Sequence, residues 1–199
     1  MTMSAQDRFR EFLAGVAADL RAKGFKRKGG VFRRDVPGFA QFVTYQKSRH
    51  SDQDTISFTV NLGVDLEALH FLAAQHNSVH DCPWHMRLGQ LLDAHGDYWW
   101  TLSGADNPDG LVAEHRKYLG SVIWPTLDKV ASTDYLIDEW QSGRAPGATE
   151  GPRRVFLAVL LKLRGQPGDQ DLIKGLLDAQ GRIPGLIFEF EETLGPQSR

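Results

Sequence analysis

The first twenty-five residues show the spacing of apolar positions that an amphipathic helix requires. Six apolar residues recur at helical intervals along this segment: Phe9, Phe12, Leu13, Val16, Ala17 and Leu20. Ser4 is a suitable N-cap, and Gly24 can adopt the left-handed conformation that ends a helix. The pattern predicts a helix from about Ala5 to Lys23 with one apolar face.

A period of two replaces the helical period after residue 30. Residues 31–36 and 39–47 flank Pro37-Gly38, a pair suited to a type II turn. The clearest alternation follows, with Ile56, Phe58, Val60 and Leu62 on one face and Thr55, Ser57, Thr59 and Asn61 on the other. These segments predict an antiparallel meander of three strands, in which Thr55, Ser57 and Thr59 are much less buried than their apolar neighbours.

The middle of the chain has weaker patterns. The leucine spacing predicts a short helix over 65–75, and residues 87–92 and 98–102 resemble further strands. Trp99 and Trp100 are adjacent, so in a strand they face opposite ways, one in the core and the other partly exposed.

The remainder of the chain is predicted to be helical. Asn107-Pro108 favours a helix start, and Pro125 should kink or restart that helix. Further helices are predicted over 135–141, 152–163, 170–179 and 184–194. The predicted fold class is α+β: an antiparallel sheet of three to five strands packed against helices, followed by a C-terminal all-helical segment. We place the α+β domain at 1–131 and the helical segment, packed on it, at 132–199.

Five motifs in order resemble a known family. They are KGFKRKGGVFRRD at 23–35, FVTYQKSR at 42–49, FTVNLGV at 58–64, RLGQLL at 87–92 and DYWWTL at 97–102. Together they resemble the bacterial domain of unknown function 4304 family over about residues 5–130. The resemblance implies a helix-plus-antiparallel-sheet domain. It implies no established activity and no catalytic residues.

Composition limits the class of protein. The 199 residues are 41% hydrophobic and 24% charged, which is typical of a globular chain and not of a disordered one. The lone Cys82 has no internal partner for a disulfide, which favours a reducing compartment. The longest apolar run, 155–161, is far too short to span a membrane, and no apolar signal core opens the chain. We therefore expect a cytoplasmic protein without a membrane partner.

Positive charge is concentrated near the start of the chain. Residues 1–50 contain 11 Lys and Arg against 4 Asp and Glu, whereas residues 51–199 contain 12 against 21. On the predicted sheet, seven cations lie among aromatic residues: Lys26, Arg27, Lys28, Arg33, Arg34, Lys47 and Arg49. Such a basic edge can bind an anionic partner, or it can simply protect a sheet edge from aggregation.

The end of the predicted strand 39–47 is the candidate ligand site. Lys47 and Arg49 are expected to share one face and Gln46 and Ser48 the other, with Arg87 entering from the next strand. Arginine binds a phosphate or carboxylate with two parallel hydrogen bonds, and lysine adds a point charge. The alternative is that these are ordinary exposed charges.

A segment rich in histidine offers a second candidate chemistry. It holds His70, His76, His80, Cys82 and His85. Of these, His80, Cys82 and His85 are close enough in sequence to converge on zinc, but their spacing matches no regular zinc motif and there is only one thiol. A Cys–His nucleophile is a further alternative. We expect no metal and no cofactor.

The function favoured by these patterns is a non-catalytic binding domain. Its basic sheet surface would recognise an anionic partner, either a protein or a phosphate-bearing ligand. The first alternative is a metal-dependent hydrolase or transferase that uses the segment 70–85. The second is an immunity-type partner protein.

Overall fold

The N-terminal amphipathic segment forms helix α1, Ala5–Ala22, in a computed structural model that describes residues 3–72, 78–92 and 97–180. The Ser4 hydroxyl caps its start by accepting the Asp7 N–H at 3.2 Å. At its end, the Phe25 N–H donates to the Leu20 carbonyl at 3.0 Å, which folds the chain back over the last turn. The predicted N-terminal helix is confirmed.

Six strands form one open antiparallel sheet within the described residues. They are β1 (Lys26–Lys28), β2 (Val31–Val36), β3 (Phe39–Lys47), β4 (Thr55–Leu66), β5 (Trp84–Arg87) and β6 (Trp100–Ser103). Their order is β1-β2-β3-β4-β5, and β6 also pairs with β4. Gly29-Gly30 and Pro37-Gly38 make the first two turns. The predicted meander is confirmed as β2, β3 and β4, and the predicted fold class is confirmed with it.

The register of the strands gives the sheet two distinct faces. Val31, Thr44, Asn61 and Arg87 are successive cross-strand partners in one row. Because side chains alternate along each strand, these four residues share one face, which we call the second face. The first face is packed against helices and carries Phe32, Val43, Tyr45, Phe58, Val60, Leu62 and Val64.

Two predicted elements of the middle region are wrong. Strand β4 continues to Leu66, and only a 3₁₀ turn, Glu67–Leu69, follows where a helix was predicted over 65–75; residues 73–75 lie outside the described part. Pairing of β4 with β3 keeps this segment extended to its last residue. The segment 87–92 is not a strand, because Arg87 ends β5 and helix α2, Leu88–Leu91, follows at once.

The expected exposure of Thr59 is also wrong. Thr59 is fully buried, whereas Thr55 and Ser57 are partly exposed as predicted. The cause is the segment before β6, whose Tyr98 carbonyl accepts the Thr59 hydroxyl at 3.0 Å. A polar residue on the second face is therefore buried where another segment lies over it.

The second half of the described chain is mostly helical. Its helices are α3 (Asp109–Tyr118), α4 (Trp124–Val130), α5 (Thr133–Gln141), α6 (Glu150–Arg164) and α7 (Asp169–Gln180). A π-helical turn, Leu119–Ile123, joins α3 to α4, which begins with Pro125 in its first turn. The helix predicted over 184–194 lies outside the described residues. None of the helices described is long and apolar enough to cross a membrane.

A hydrophobic core fills the space between the first face and the helices. Leu136, Ile137 and Trp140 of α5 belong to the same cluster of buried residues as α1 and the sheet. At its centre lies His115 of α3, fully buried, whose Nδ1 donates to the Leu111 carbonyl at 2.9 Å. The rings that surround His115 are those of Phe12, Tyr45, Phe58, Trp100 and Tyr118. Burial lowers the pKa of His115 to about 4, so it is neutral in the folded protein at neutral pH.

Candidate functional site

A groove opens on the second face at the β1 end of the sheet. Its volume is about 730 Å³. We call it the basic groove. It is lined by Lys26, Arg27, Lys28, Val31, Arg33 and Phe42. Cross-strand pairing explains the assembly: Lys26 is opposite Arg33 and Lys28 is opposite Val31. Three cationic side chains from two strands therefore share one face.

The floor of the basic groove is apolar. Phe42 is 1% exposed and lies in a small second-face cluster with Ala40, Val79 and Cys82. Gly63 makes this cluster possible, because a Cβ there would lie 2.7 Å from Cγ2 of Val79 and 3.0 Å from Sγ of Cys82. The segment 78–82 can thus lie directly on the sheet beside the groove.

The cations of the basic groove differ in their partners. Arg33 pairs with Asp35 at 2.8 Å, and its guanidinium lies over the Phe42 ring at 5.4 Å. Arg27 donates to the Gly29 carbonyl at 2.8 Å. The side chains of Lys26 and Lys28 are exposed and have no hydrogen bond or ion pair to the part of the chain that the structure describes. Two ammonium groups are therefore left for solvent or a ligand.

The structure brings together only part of the site predicted around strand 39–47. Gln46 and Arg87 both lie on the second face: the Gln46 side-chain oxygen accepts from Nδ2 of Asn61 at 2.8 Å, and Asn61 is opposite Arg87. Arg87 is ion-paired with Asp97 and lies over the Trp99 ring at 5.7 Å. Its charge is thus already matched by a carboxylate.

The other three residues of that predicted site lie elsewhere. Lys47 is on the first-face side, where its Nζ donates to the Gln6 side-chain oxygen at 2.9 Å. The Ser48 hydroxyl accepts the His50 N–H at 3.1 Å, which closes the turn after β3. Arg49 is exposed in that turn. Lys47 and Gln46 point to opposite faces, so a single ligand does not meet all five residues.

The histidine-rich segment gathers no set of metal ligands. Within the described residues, no three His, Cys, Asp or Glu side chains are placed to hold a metal ion; His76 lies outside them. The rings of His80 and His85 are 5.9 Å apart, and Nδ1 of His85 donates to the Cys82 carbonyl at 3.0 Å. Partial burial, and then the neighbouring His85, lower the pKa of His80.

Cys82 is a buried thiol rather than an activated one. Burial first, and then the charges of Asp65 and Asp81, raise the pKa of its thiol above the ordinary value. Its Sγ donates to the Ser78 carbonyl at 3.5 Å. Because the thiolate is the reactive form, this environment does not support a cysteine nucleophile.

Sequence reasoning missed a second groove next to the first. Its volume is about 470 Å³, and Arg33 lines both grooves. His70 lines this groove, and its Nε2 lies 2.8 Å from Oδ2 of Asp65, a fully buried carboxylate beneath the groove residues. The sequence pattern predicts a helix start at Asp65, whereas this residue is the penultimate one of β4. The pair orients the imidazole at the edge of the second groove.

Comparison with known proteins gives one family match. The family model described as "Domain of unknown function (DUF4304)" matches residues 16–129, more than half of the chain. The match begins within α1 and ends within α4, so it includes the whole sheet and the basic groove. No curated protein and no solved structure matches the chain. The chain belongs to the DUF4304 family.

Proposed function

We propose that this protein is a non-catalytic binding domain whose basic groove holds an anionic group of a partner. One observation carries the proposal: Lys26 and Lys28 share the groove with Arg33, and neither lysine has an acidic partner in the described residues. This proposed site lies at β1 and β2, whereas the sequence favours the end of strand 39–47. In both places the proposed chemistry is the binding of an anion by lysine and arginine side chains.

The groove supplies complementary ways to bind an anion. The two lysines act as point charges, and Arg33 can bind two oxygens of a carboxylate or phosphate with parallel hydrogen bonds. Arg33 already pairs with Asp35. Because the Asp35 side chain is 62% exposed, a ligand can take its place beside Arg33 while the Asp35 carboxylate stays in water. Val31 and Phe42 exclude water from one side of the groove, which strengthens the attraction between charges.

The alternative functions place other demands on the chain. A metal-dependent hydrolase needs three or four converging ligands, and the described part of segment 70–85 does not bring such a set together. An immunity-type partner protein is a separate alternative, which does not require an anion-binding groove. The buried Cys82 thiol suits a reducing compartment, and we propose the cytoplasm as the site of action.

A charge-matched pair of double variants tests the proposal. The groove variant is Lys26→Ala/Lys28→Ala, and the control is Lys117→Ala/Lys174→Ala, which removes two exposed lysines from α3 and α7. Binding of a glutamate-rich peptide, polyphosphate and a single-stranded oligonucleotide is measured at several salt concentrations. We expect the groove variant to weaken a salt-sensitive interaction roughly tenfold and the control to leave it nearly unchanged. Equal weakening by both variants, or binding of none of these anions, would contradict the proposal.

A further inference from the structure

Strands β1 and β5 stand at opposite ends of the strand order, and their outer edges differ in what covers them. At one end, the His85 N–H of β5 donates to the Pro146 carbonyl at 3.1 Å, so the loop before α6 covers that edge. At the other end, β1 pairs with β2 alone among the described residues. A strand with one neighbour offers backbone groups to a further strand.

The turn between β1 and β2 determines which backbone groups are offered. Lys28 and Val31 flank the two-residue turn Gly29-Gly30 as direct partners. In such a hairpin the N–H and C=O of the residue that flanks the turn, here Lys28, point toward the partner strand. The N–H and C=O of the preceding residue point away from the partner strand. The N–H and C=O of Arg27 therefore face outward, between Lys26 and Lys28.

The two lysines beside this edge occupy alternate positions of β1, as side chains on one face of a strand do. Lys26 and Lys28 are two residues apart on the second face, with Arg33 next to them on β2. In an added strand, the residues opposite the two lysines would share that face, at roughly 5 Å between Cβ atoms. Carboxylates at alternate positions of the added strand would meet both ammonium groups.

We propose that β1 is the docking edge for an extended acidic segment of a partner protein, which pairs with Arg27 through its backbone and places alternate carboxylates beside Lys26 and Lys28. This rests on the proposed function and names the class of partner. A nucleic acid fits the groove less well. The aromatic ring of the groove, that of Phe42, is buried under the Arg33 guanidinium and offers no face on which a base could stack.

Three peptides with the same residues and the same charge test the strand pairing with the full, unaltered chain. The first contains a single Glu-Val-Glu segment, whose valine would lie opposite Arg27. The second carries an N-methyl group on the valine amide that would donate to the Arg27 carbonyl. The third carries the same methyl group on the adjacent glutamate amide, which would point away from β1. Affinity is measured by calorimetry, and exchange of the Arg27 amide hydrogen is measured with and without peptide.

We expect the valine N-methyl group to weaken binding about tenfold and the glutamate N-methyl group to have little effect. We also expect the Arg27 amide to exchange more slowly when the unmodified peptide is bound. If both methylated peptides bind as well as the first and exchange is unchanged, strand addition is wrong while the anion-binding groove stands. If polyphosphate or the oligonucleotide binds and no peptide does, the partner class is wrong. If none of these anions binds, both proposals fail.

Discussion

The two faces of the sheet are built from alternate residues of the same strands, yet they are covered in different ways. Helices cover the first face with apolar side chains. The second face is covered in part by segments 78–82 and 97–99 and otherwise carries polar and charged groups. In β4, Phe58 and Thr59 are neighbours on opposite faces, and both are fully buried. The alternation thus assigns a residue to a face, whereas its burial depends on what lies over that face.

The largest effect should come from breaking the first face at Phe58. This ring is fully buried and contacts the rings of Phe9, Phe12 and Trp100. Phe58→Ala should lower the free energy of unfolding by about 3–5 kcal/mol, measured by urea denaturation. The control is Ser57→Ala on the other face, which should cost less than about 1 kcal/mol. Similar losses in both variants would show that the two faces do not differ in this way.

Acid should destabilise the first face through His115. Burial holds its pKa at about 4 in the folded protein, compared with about 6.5 in an unfolded chain. The unfolded chain therefore binds the proton more readily. This contribution to stability is fully present above about pH 6.5 and falls as the pH drops toward 4, by about 3 kcal/mol in all.

The variant His115→Phe isolates this dependence, because it keeps an aromatic ring and removes the titrating group. Urea denaturation of both proteins between pH 7 and 4.5 should show a steeper loss of stability for the natural protein. Other groups titrate in both proteins, so only the difference between the two curves reports on His115. Parallel curves would mean that the histidine is not held neutral by its surroundings.

On the second face, Gly63→Ala should disturb the cover formed by segment 78–82. The new Cβ would lie too close to Val79 and Cys82, and overpacking of this kind costs about 1–3 kcal/mol. The matched control is Gly110→Ala in α3, where a Cβ meets nothing within 4 Å and helix propensity favours alanine. Thermal denaturation should separate the two, and equal midpoints would mean that the cover adapts without cost.

The smallest effect is expected for Lys47→Ala. Its contact with Gln6 is exposed and should contribute less than about 1 kcal/mol. Because Lys47 is on the first-face side, its removal should also leave anion binding to the basic groove unchanged, in contrast to Lys28→Ala. A loss of binding as large as that of Lys28→Ala would place the ligand at the end of β3 instead.

The elements that the sequence predicted well are those with strong local patterns. Helix α1 and strands β2, β3 and β4 combine a clear period with suitable turn residues at each end. The helix predicted to begin at Asp65 does not form. A leucine spacing of three fits a helix, but here Leu66 is buried at the end of β4 and Leu69 is buried in the 3₁₀ turn that follows. Pairing with β3, a contact distant in sequence, decided the outcome.

The candidate site was predictable in composition but not in position. The sequence shows a cluster of seven cations on a sheet, and four of them, Lys26, Arg27, Lys28 and Arg33, line the basic groove. Which cations share a face depends on strand register, which brings Lys26 opposite Arg33 and leaves Lys47 on the other face, opposite Phe58. The Asp65–His70 pair depends on where β4 ends, and no local pattern indicated that point.

The bond between His85 and Pro146 also has a consequence for biosynthesis. Gly147, with φ of +86°, lies so close to the His85 ring that a Cβ would be 2.3 Å from Nδ1, so this loop closes tightly over β5. A ribosome adding roughly 5–20 residues per second needs several seconds to proceed from β5 to this loop. During that interval the emerging chain has strand β5 without its cover. Until the loop has been made, β5 is therefore an edge strand whose backbone groups are open to pairing with another strand.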